Sequence, residues 1–235
     1  MRLHLEEEIR RIKENLLMMA SLTDRSLSQA IRALVGRDDQ LAAQVEADDT
    51  QLDSLQVAID EGVVMFIAKQ RPVATDLRLV MVALKIAGDL ERVGDQAVSI
   101  ARAAIQLNRE VPLEMPADMS RLATISVEMV REAIACFVEG TPERVPALVQ
   151  RDKEADAINR KLFSELIARM EADPSIIRRA VHLLLVVRRL ERVADHAKSI
   201  AEEVYYLGKA VDIRHAHPKP TLPRGDVSAE TPPAG

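Results

Sequence analysis

The chain reads as an all-α protein made of two tandem, pseudo-symmetric three-helix bundles, and three features point there. Hydrophobic residues make up 48% of its 235 residues, yet aromatics are 2% and glycines number only 8. Sheets draw on β-branched and aromatic side chains and their hairpins on glycine, whereas this chain is built from Ala, Leu, Arg, Glu and Met, the strong helix formers. Apolar residues recur at steps of three and four, the helical period. The chain also repeats itself: residues 91–101 read ERVGDQAVSIA and residues 191–201 read ERVADHAKSIA, identical at eight of eleven positions.

Six helices follow in order. The first, over 3–35, stops at Gly36. The second, over 38–69, starts at Asp38 and carries the stripe Leu41, Val45, Leu52, Leu55, Ile59 and Phe66; it ends before Pro72. The third, over 73–108, carries Leu79, Val82, Ala83, Ile86, Leu90, Val93, Ala97 and Ile100, and Pro112 and Pro116 bracket the linker beyond it. The fourth, over 117–139, stops at Gly140. The fifth, over 142–171, opens with Pro142 and Pro146, and the sixth, over 174–208, opens with Pro174. Long helices joined by short loops pack antiparallel. Residues 1–110 and 117–210 are therefore two copies of one unit. The three-residue difference between them falls in the turns at Pro72 and Pro174, where insertions are cheap. Five of the eleven prolines fall after residue 211, and 211–235 reads as a disordered tail.

Charge and cysteine usage narrow the partners. Lys and Arg total 32 against 37 Asp and Glu, a net charge of −5, with no basic patch and almost no aromatic stacking platforms. That disfavours nucleic acid as a partner. The single cysteine, Cys136, has no internal partner and points to a reducing compartment. The N-terminus is too acidic for a signal peptide, and no apolar run approaches a membrane span. A cytoplasmic protein is the reading.

The repeat preserves pairs of carboxylates at i, i+4: Asp49 with Asp53, Glu91 with Asp95, Asp152 with Asp156 and Glu191 with Asp195. This spacing puts both side chains on one helix face, where like charges cost a few tenths of a kcal/mol. A bound cation reverses that sign, because carboxylate oxygens are hard ligands. Two such helices side by side present four carboxylates, enough for a multinuclear cluster. In a chain this acidic one such pair means nothing, and a solvated face held by Arg92 and Arg192 is the competing reading. Four pairs at equivalent places in two repeats favour a metal site, with Gly88 and Gly94 leaving room beside the first. His196 points about 100° around the helix from Asp195. His182 reads as a packing or surface residue, His215 and His217 as tail residues, and Cys136 as a buried thiol. Met18, Met19, Tyr205 and Tyr206 read as core or rim.

The two E-R-V-x-D segments, the Lys69-Gln70-Arg71-Pro72 turn before Asp76-Leu77-Arg78-Leu79-Val80, and the ending Tyr205-Tyr206…Val211-Asp212-Ile213-Arg214-His215 resemble the PhoU family of phosphate-signalling accessory proteins. The likeness covers about residues 1–217. It implies a PhoU-like pair of three-helix bundles with spectrin-like packing, often dimeric, whose E/D-x-x-x-D motifs hold iron or zinc clusters in some members and different ions in others. Carried onto this sequence, the metal ligands are Glu91, Asp95, Glu191 and Asp195, with Asp49, Asp53, Asp152 and Asp156 from the second helix of each repeat. Asp48 is an alternative to Asp49, but its counterpart is Arg151; Asp89 likewise has Arg189 as counterpart. The resemblance implies a non-enzymatic negative regulator of phosphate uptake and of the phosphate-starvation (Pho) response. Such a protein couples the phosphate ABC transporter, through its ATPase subunit, to the sensor histidine kinase. It implies a homodimer that contacts the membrane only through its partners. Three rivals stand beside it. A metal-cluster-binding helical bundle with di-iron-type redox activity would use Glu-x-x-His pairs, which the motifs lack. A polyphosphate-binding module would want a basic groove. A structural adaptor would leave its carboxylates empty.

Overall fold

The computed structural model describes residues 2–214, which form six long helices joined by short turns. They are α1 (Arg2–Gly36), α2 (Asp39–Gln70), α3 (Ala74–Asn108), α4 (Ala117–Glu139), α5 (Val145–Ala172) and α6 (Ile177–Lys209). The largest departures from the predicted spans are at the starts of α5 and α6, where Pro142–Arg144 and Pro174–Ile176 each form a 3₁₀ turn first. Proline fits there because its missing N–H would have no helical acceptor. Asp38 caps α2, its carboxylate accepting from the Leu41 N–H at 2.9 Å, and Asp173 accepts from the Ser175 N–H at 2.9 Å before α6. Gly140 ends α4 in the left-handed region at φ 64°. After α1 it is Arg37, at φ 54°, and not Gly36 that takes this conformation. Its guanidinium offsets the strain by donating to the carbonyls of Leu107, Asn108 and Glu110 at the end of α3.

α3 and α6 are the central helices. α1 and α2 pack on α3, α4 and α5 pack on α6, and α3 and α6 pack on each other along their lengths. Their sequences show why. α2 buries a narrow stripe of Ala42, Val45, Leu52, Ile59, Val63 and Phe66. α3 buries adjacent pairs such as Val82 with Ala83, Ile86 with Ala87 and Ile100 with Ala101, an arc wide enough for three neighbours. The apolar cluster is consequently continuous across the seam. Truncating a fully buried leucine such as Leu90 to alanine would cost about 2–5 kcal/mol.

The seam is antiparallel and pseudo-two-fold. His196 Nδ1 lies 3.0 Å from Asp89 Oδ1, and Arg189 donates to Gln96 Oε1 at 3.2 Å. Positions 89 and 189 are equivalent in the two repeats, as are 96 and 196, so one rotation relates the two pairs. Buried hydroxyls follow the same rule: Thr23 donates to the Leu90 carbonyl and Ser126 to the Leu190 carbonyl. α1 meets α4 on one face, where Arg131 donates to Asp24 at 2.6 Å. α2 and α5 have no mutual contact among the described residues. At one end of the seam Glu203 accepts from Lys85 of α3 and from Arg214, which holds residues 211–214, the start of the predicted tail, against α6. The remainder of that tail, 215–235, with His215 and His217, lies outside the described residues. Among the described residues no helix is long and apolar enough to cross a membrane.

Candidate metal centre

Gly94 brings α2 against α3. A Cβ there would come within 2.6 Å of Leu52 Cδ1, so the space that glycine leaves is filled by Leu52 and not by a ligand. At Gly88 nothing lies within 4 Å, because it faces open surface. The close approach of the two helices sets the second-helix pair Asp49 and Asp53 beside the third-helix pair Glu91 and Asp95. Asp49 is pushed above the ordinary carboxylate range by burial, then by the charges of Asp53 and Asp95. Glu91 is raised by burial and then by Asp95, Asp53 and Asp49, so all four acids act on one another.

Repeat 2 gathers Asp152, Asp156, Glu191 and Asp195 in the same way. Glu191 is raised by burial, then by Asp195, Asp156 and Asp152. Asp195, although exposed on one side, is raised first by desolvation and then by Asp152 and Asp156. The eight predicted residues therefore form two groups of four. Asp48 is excluded from the first: it faces α1, where Arg25 lies 3.5 Å away. Its counterpart Arg151 faces α4 and pairs with Glu128 and Glu132, the same contact with the charges exchanged. His182 is half-buried, and Cys136 is buried with its thiol raised by that burial. Met19 is core and Met18 exposed, while Tyr206 lies under the cations of Arg78 and Lys85. Arg92 and Arg192 make no ion pair with the neighbouring carboxylates among the described residues.

Two cations in repeat 2 were not legible as part of the site. Lys198 Nζ donates to Asp152 Oδ2 at 2.7 Å, and Arg188 donates to Glu191 Oε1 at 2.8 Å. The signal was present in the repeat alignment, since Lys198 replaces Val98 and Arg188 replaces Gly88. Among the described residues no three side chains close around a single ion as they stand. A cation would have to draw the carboxylates inward by rotamer change. The donor chemistry fits a hard ion nonetheless, and Asp152 Oδ1 and Glu191 Oε2 are buried without a hydrogen-bond partner. His196 faces Asp89 across the seam, so neither group includes an imidazole or a thiolate. An all-oxygen set is unlike the nitrogen and sulfur ligands typical of zinc and suits a hard cation, and the lack of a Glu-x-x-His pair argues against the di-iron oxidase rival.

The comparisons with known proteins bear on the same two repeats. The PhoU domain family matches residues 16–104 and again 119–204, one match per bundle. The chain belongs to the PhoU family. It is 34% identical over 225 residues to the phosphate-specific transport system accessory protein PhoU homolog of Rhizobium meliloti, covering 95% of this chain and 93% of that one. It is 36% identical over 211 residues to the corresponding Pseudomonas aeruginosa homolog, covering 88% and 86%. The crystal structure of PhoU from Pseudomonas aeruginosa superposes with a TM-score of 0.86 at 34% identity, over 88% of this chain and 99% of that one. The phosphate transport system regulatory protein PhoU from Streptococcus pneumoniae superposes at 0.83 with 25% identity, over 89% and 99%. The PhoU architecture of two helical repeats thus holds over nearly nine-tenths of the chain.

Proposed function

We propose that the chain is a non-enzymatic accessory regulator of a phosphate-specific transport system. The observation that carries this is the PhoU domain matched in both repeats, together with relatives of that name aligned over about nine-tenths of both lengths. In this reading the protein restrains phosphate uptake and the phosphate-starvation response when phosphate is plentiful. It does so in the cytoplasm, as a homodimer, by contacting the transporter's ATPase subunit and the sensor histidine kinase. A regulator of this kind must present different surfaces in two states, with its partners binding those states unequally. The carboxylate groups of the two repeats are metal sites: Asp49, Asp53, Glu91 and Asp95 in the first, Asp152, Asp156, Glu191 and Asp195 in the second. A bound metal cation, iron or zinc, would supply the charge that turns four mutually repelling carboxylates into a cross-link between two helices. Cys136 is buried, which sets that thiol aside as a nucleophile.

Deleting the gene tests the regulatory reading. Phosphate-starvation genes should stay on in phosphate-rich medium, with excess phosphate uptake, and pull-downs should recover the ATPase subunit or the kinase in a salt-sensitive manner. Normal repression in the deletion strain, with neither partner recovered, refutes it. Metal content of untagged protein purified without chelator tests the metal reading separately.

A further inference from the structure

We propose that Lys198 makes the two carboxylate groups unequal: repeat 2 carries its own cation, and a free metal ion binds more tightly in repeat 1. This rests on the metal reading above and adds to it a distinction between repeats that share all four acids.

The asymmetry lies in what surrounds those acids. In repeat 1 none of Asp49, Asp53, Glu91 and Asp95 makes an ion pair or side-chain hydrogen bond among the described residues, and position 98 is the buried Val98. In repeat 2 the equivalent position is Lys198, whose ammonium is 2.7 Å from Asp152 Oδ2. Asp152 is only 4% exposed. A lysine ammonium is a compact point charge, so it satisfies one oxygen of this buried acid as a metal would. Arg188 adds a second, more exposed cation on Glu191.

Neutralisation in repeat 2 is incomplete. Asp152 Oδ1 and Glu191 Oε2 remain buried and unpartnered, so the group still offers oxygens to an ion. An incoming dication must displace Lys198 or bind beside it, and like charge opposes both. Repeat 1 presents the same donors with no resident cation to displace. Arg102 and Arg92 act on Asp49 and Glu91 only from a distance and form no ion pair with them among the described residues.

The test uses the full chain, untagged and stripped with chelator, titrated with Mn²⁺ and followed by electron paramagnetic resonance. The wild-type protein should show two affinity classes, and Asp95→Asn should weaken only the tighter one. Lys198→Met keeps the side chain's length without its charge and should tighten the weaker class roughly ten- to hundredfold, the range seen when groups next to metal ligands are altered. Lys198→Arg should leave both classes in place. A single class in the wild type, a weaker class that Lys198→Met does not move, or loss of the weaker class in Asp95→Asn overturns the proposal. If neither protein binds Mn²⁺, the metal reading falls and takes this one with it. Thermal melts keep the idea open to refutation should Lys198→Met be fragile. The metal-free variant should melt below wild type, because Asp152 loses its counter-ion, and Mn²⁺ should raise its Tm by more. Equal rises in the two proteins also overturn the proposal.

Discussion

Removing the two cations that converge on Glu203 should destabilise the protein by more than the sum of removing each. The Glu203 side chain is 4% exposed, while its partners Lys85 and Arg214 are 40% and 32% exposed. Lys85 Nζ reaches both carboxylate oxygens at 3.1 Å, and Arg214 Nη1 reaches Oε1 at 2.5 Å. Lys85→Met alone leaves Arg214 in place, and Arg214→Met alone leaves Lys85. Each removes a charged hydrogen bond whose strength solvent has partly screened, at about 1 kcal/mol. The double variant leaves a buried carboxylate with no cation, a situation that costs about 3–5 kcal/mol. The excess over additivity is therefore about 1–3 kcal/mol. Urea denaturation of the wild type, both singles and the double closes the cycle, and Tm should fall by about 2–4 °C per kcal/mol in a chain of this size. Glu203→Gln in the doubly substituted background should recover most of the loss, because the buried charge is gone. Additivity within about 0.5 kcal/mol would show that Glu203 is solvated in spite of its burial, and the reasoning would fail.

Gly88→Ala should stabilise the protein by about 0.5–1 kcal/mol, since α3 gains a better helix former and nothing lies within 4 Å of the added methyl. Gly94→Ala should destabilise it by about 1–2 kcal/mol: overpacking against Leu52 Cδ1 at 2.6 Å outweighs the same helical gain. Chemical denaturation showing the same sign for both would contradict the close α2–α3 approach. Glu91→Gln should stabilise metal-free protein at pH 7 and have little effect near pH 4. The raised carboxyl opposes folding progressively as pH climbs from its unfolded value of 4.5 through its higher folded value. A benefit that shrinks as pH rises would reverse that sign. Glu91→Ala combined with Asp95→Ala should remove bound ions from repeat 1 alone and leave the helical signal intact, and elemental analysis beside circular dichroism reads both. Unchanged metal stoichiometry in that double variant leaves a solvated acidic face as the account of repeat 1.

The carboxylate groups were legible because helical spacing and duplication are both properties of the chain. Asp49 and Asp53 share a face whatever lies opposite, and the same pair at Asp152 and Asp156 marks the position as more than accident. What surrounds those acids was not legible. Whether Asp48 or Asp49 belongs to the group depends on where α1 lies, because a rotation of about 100° separates adjacent residues on a helix. Only packing shows that Asp48 is taken up by Arg25. The stop of α1 at Gly36 was legible, but the left-handed turn at Arg37 was not, because the contacts that hold Arg37 come from residues about seventy positions away.

The sequence by itself determined six helices, their turns, the twofold repetition and the four acidic pairs, since each follows from short-range periodicity or from self-comparison. Tertiary structure alone decided what the three differences within the repeated segment mean. Gly94 against Ala194 is answered by Leu52 against Ala155 on the facing helix, a large and a small side chain exchanged to keep one spacing. Gln96 against His196 matches Arg189 against Asp89 across the seam. Val98 against Lys198 decides whether the neighbouring carboxylates keep a resident cation. Each difference reads as drift until its partner is known, and the partners lie on other helices tens of residues away. Energy depends on contact in space, and a sequence records that contact only when it is local or repeated.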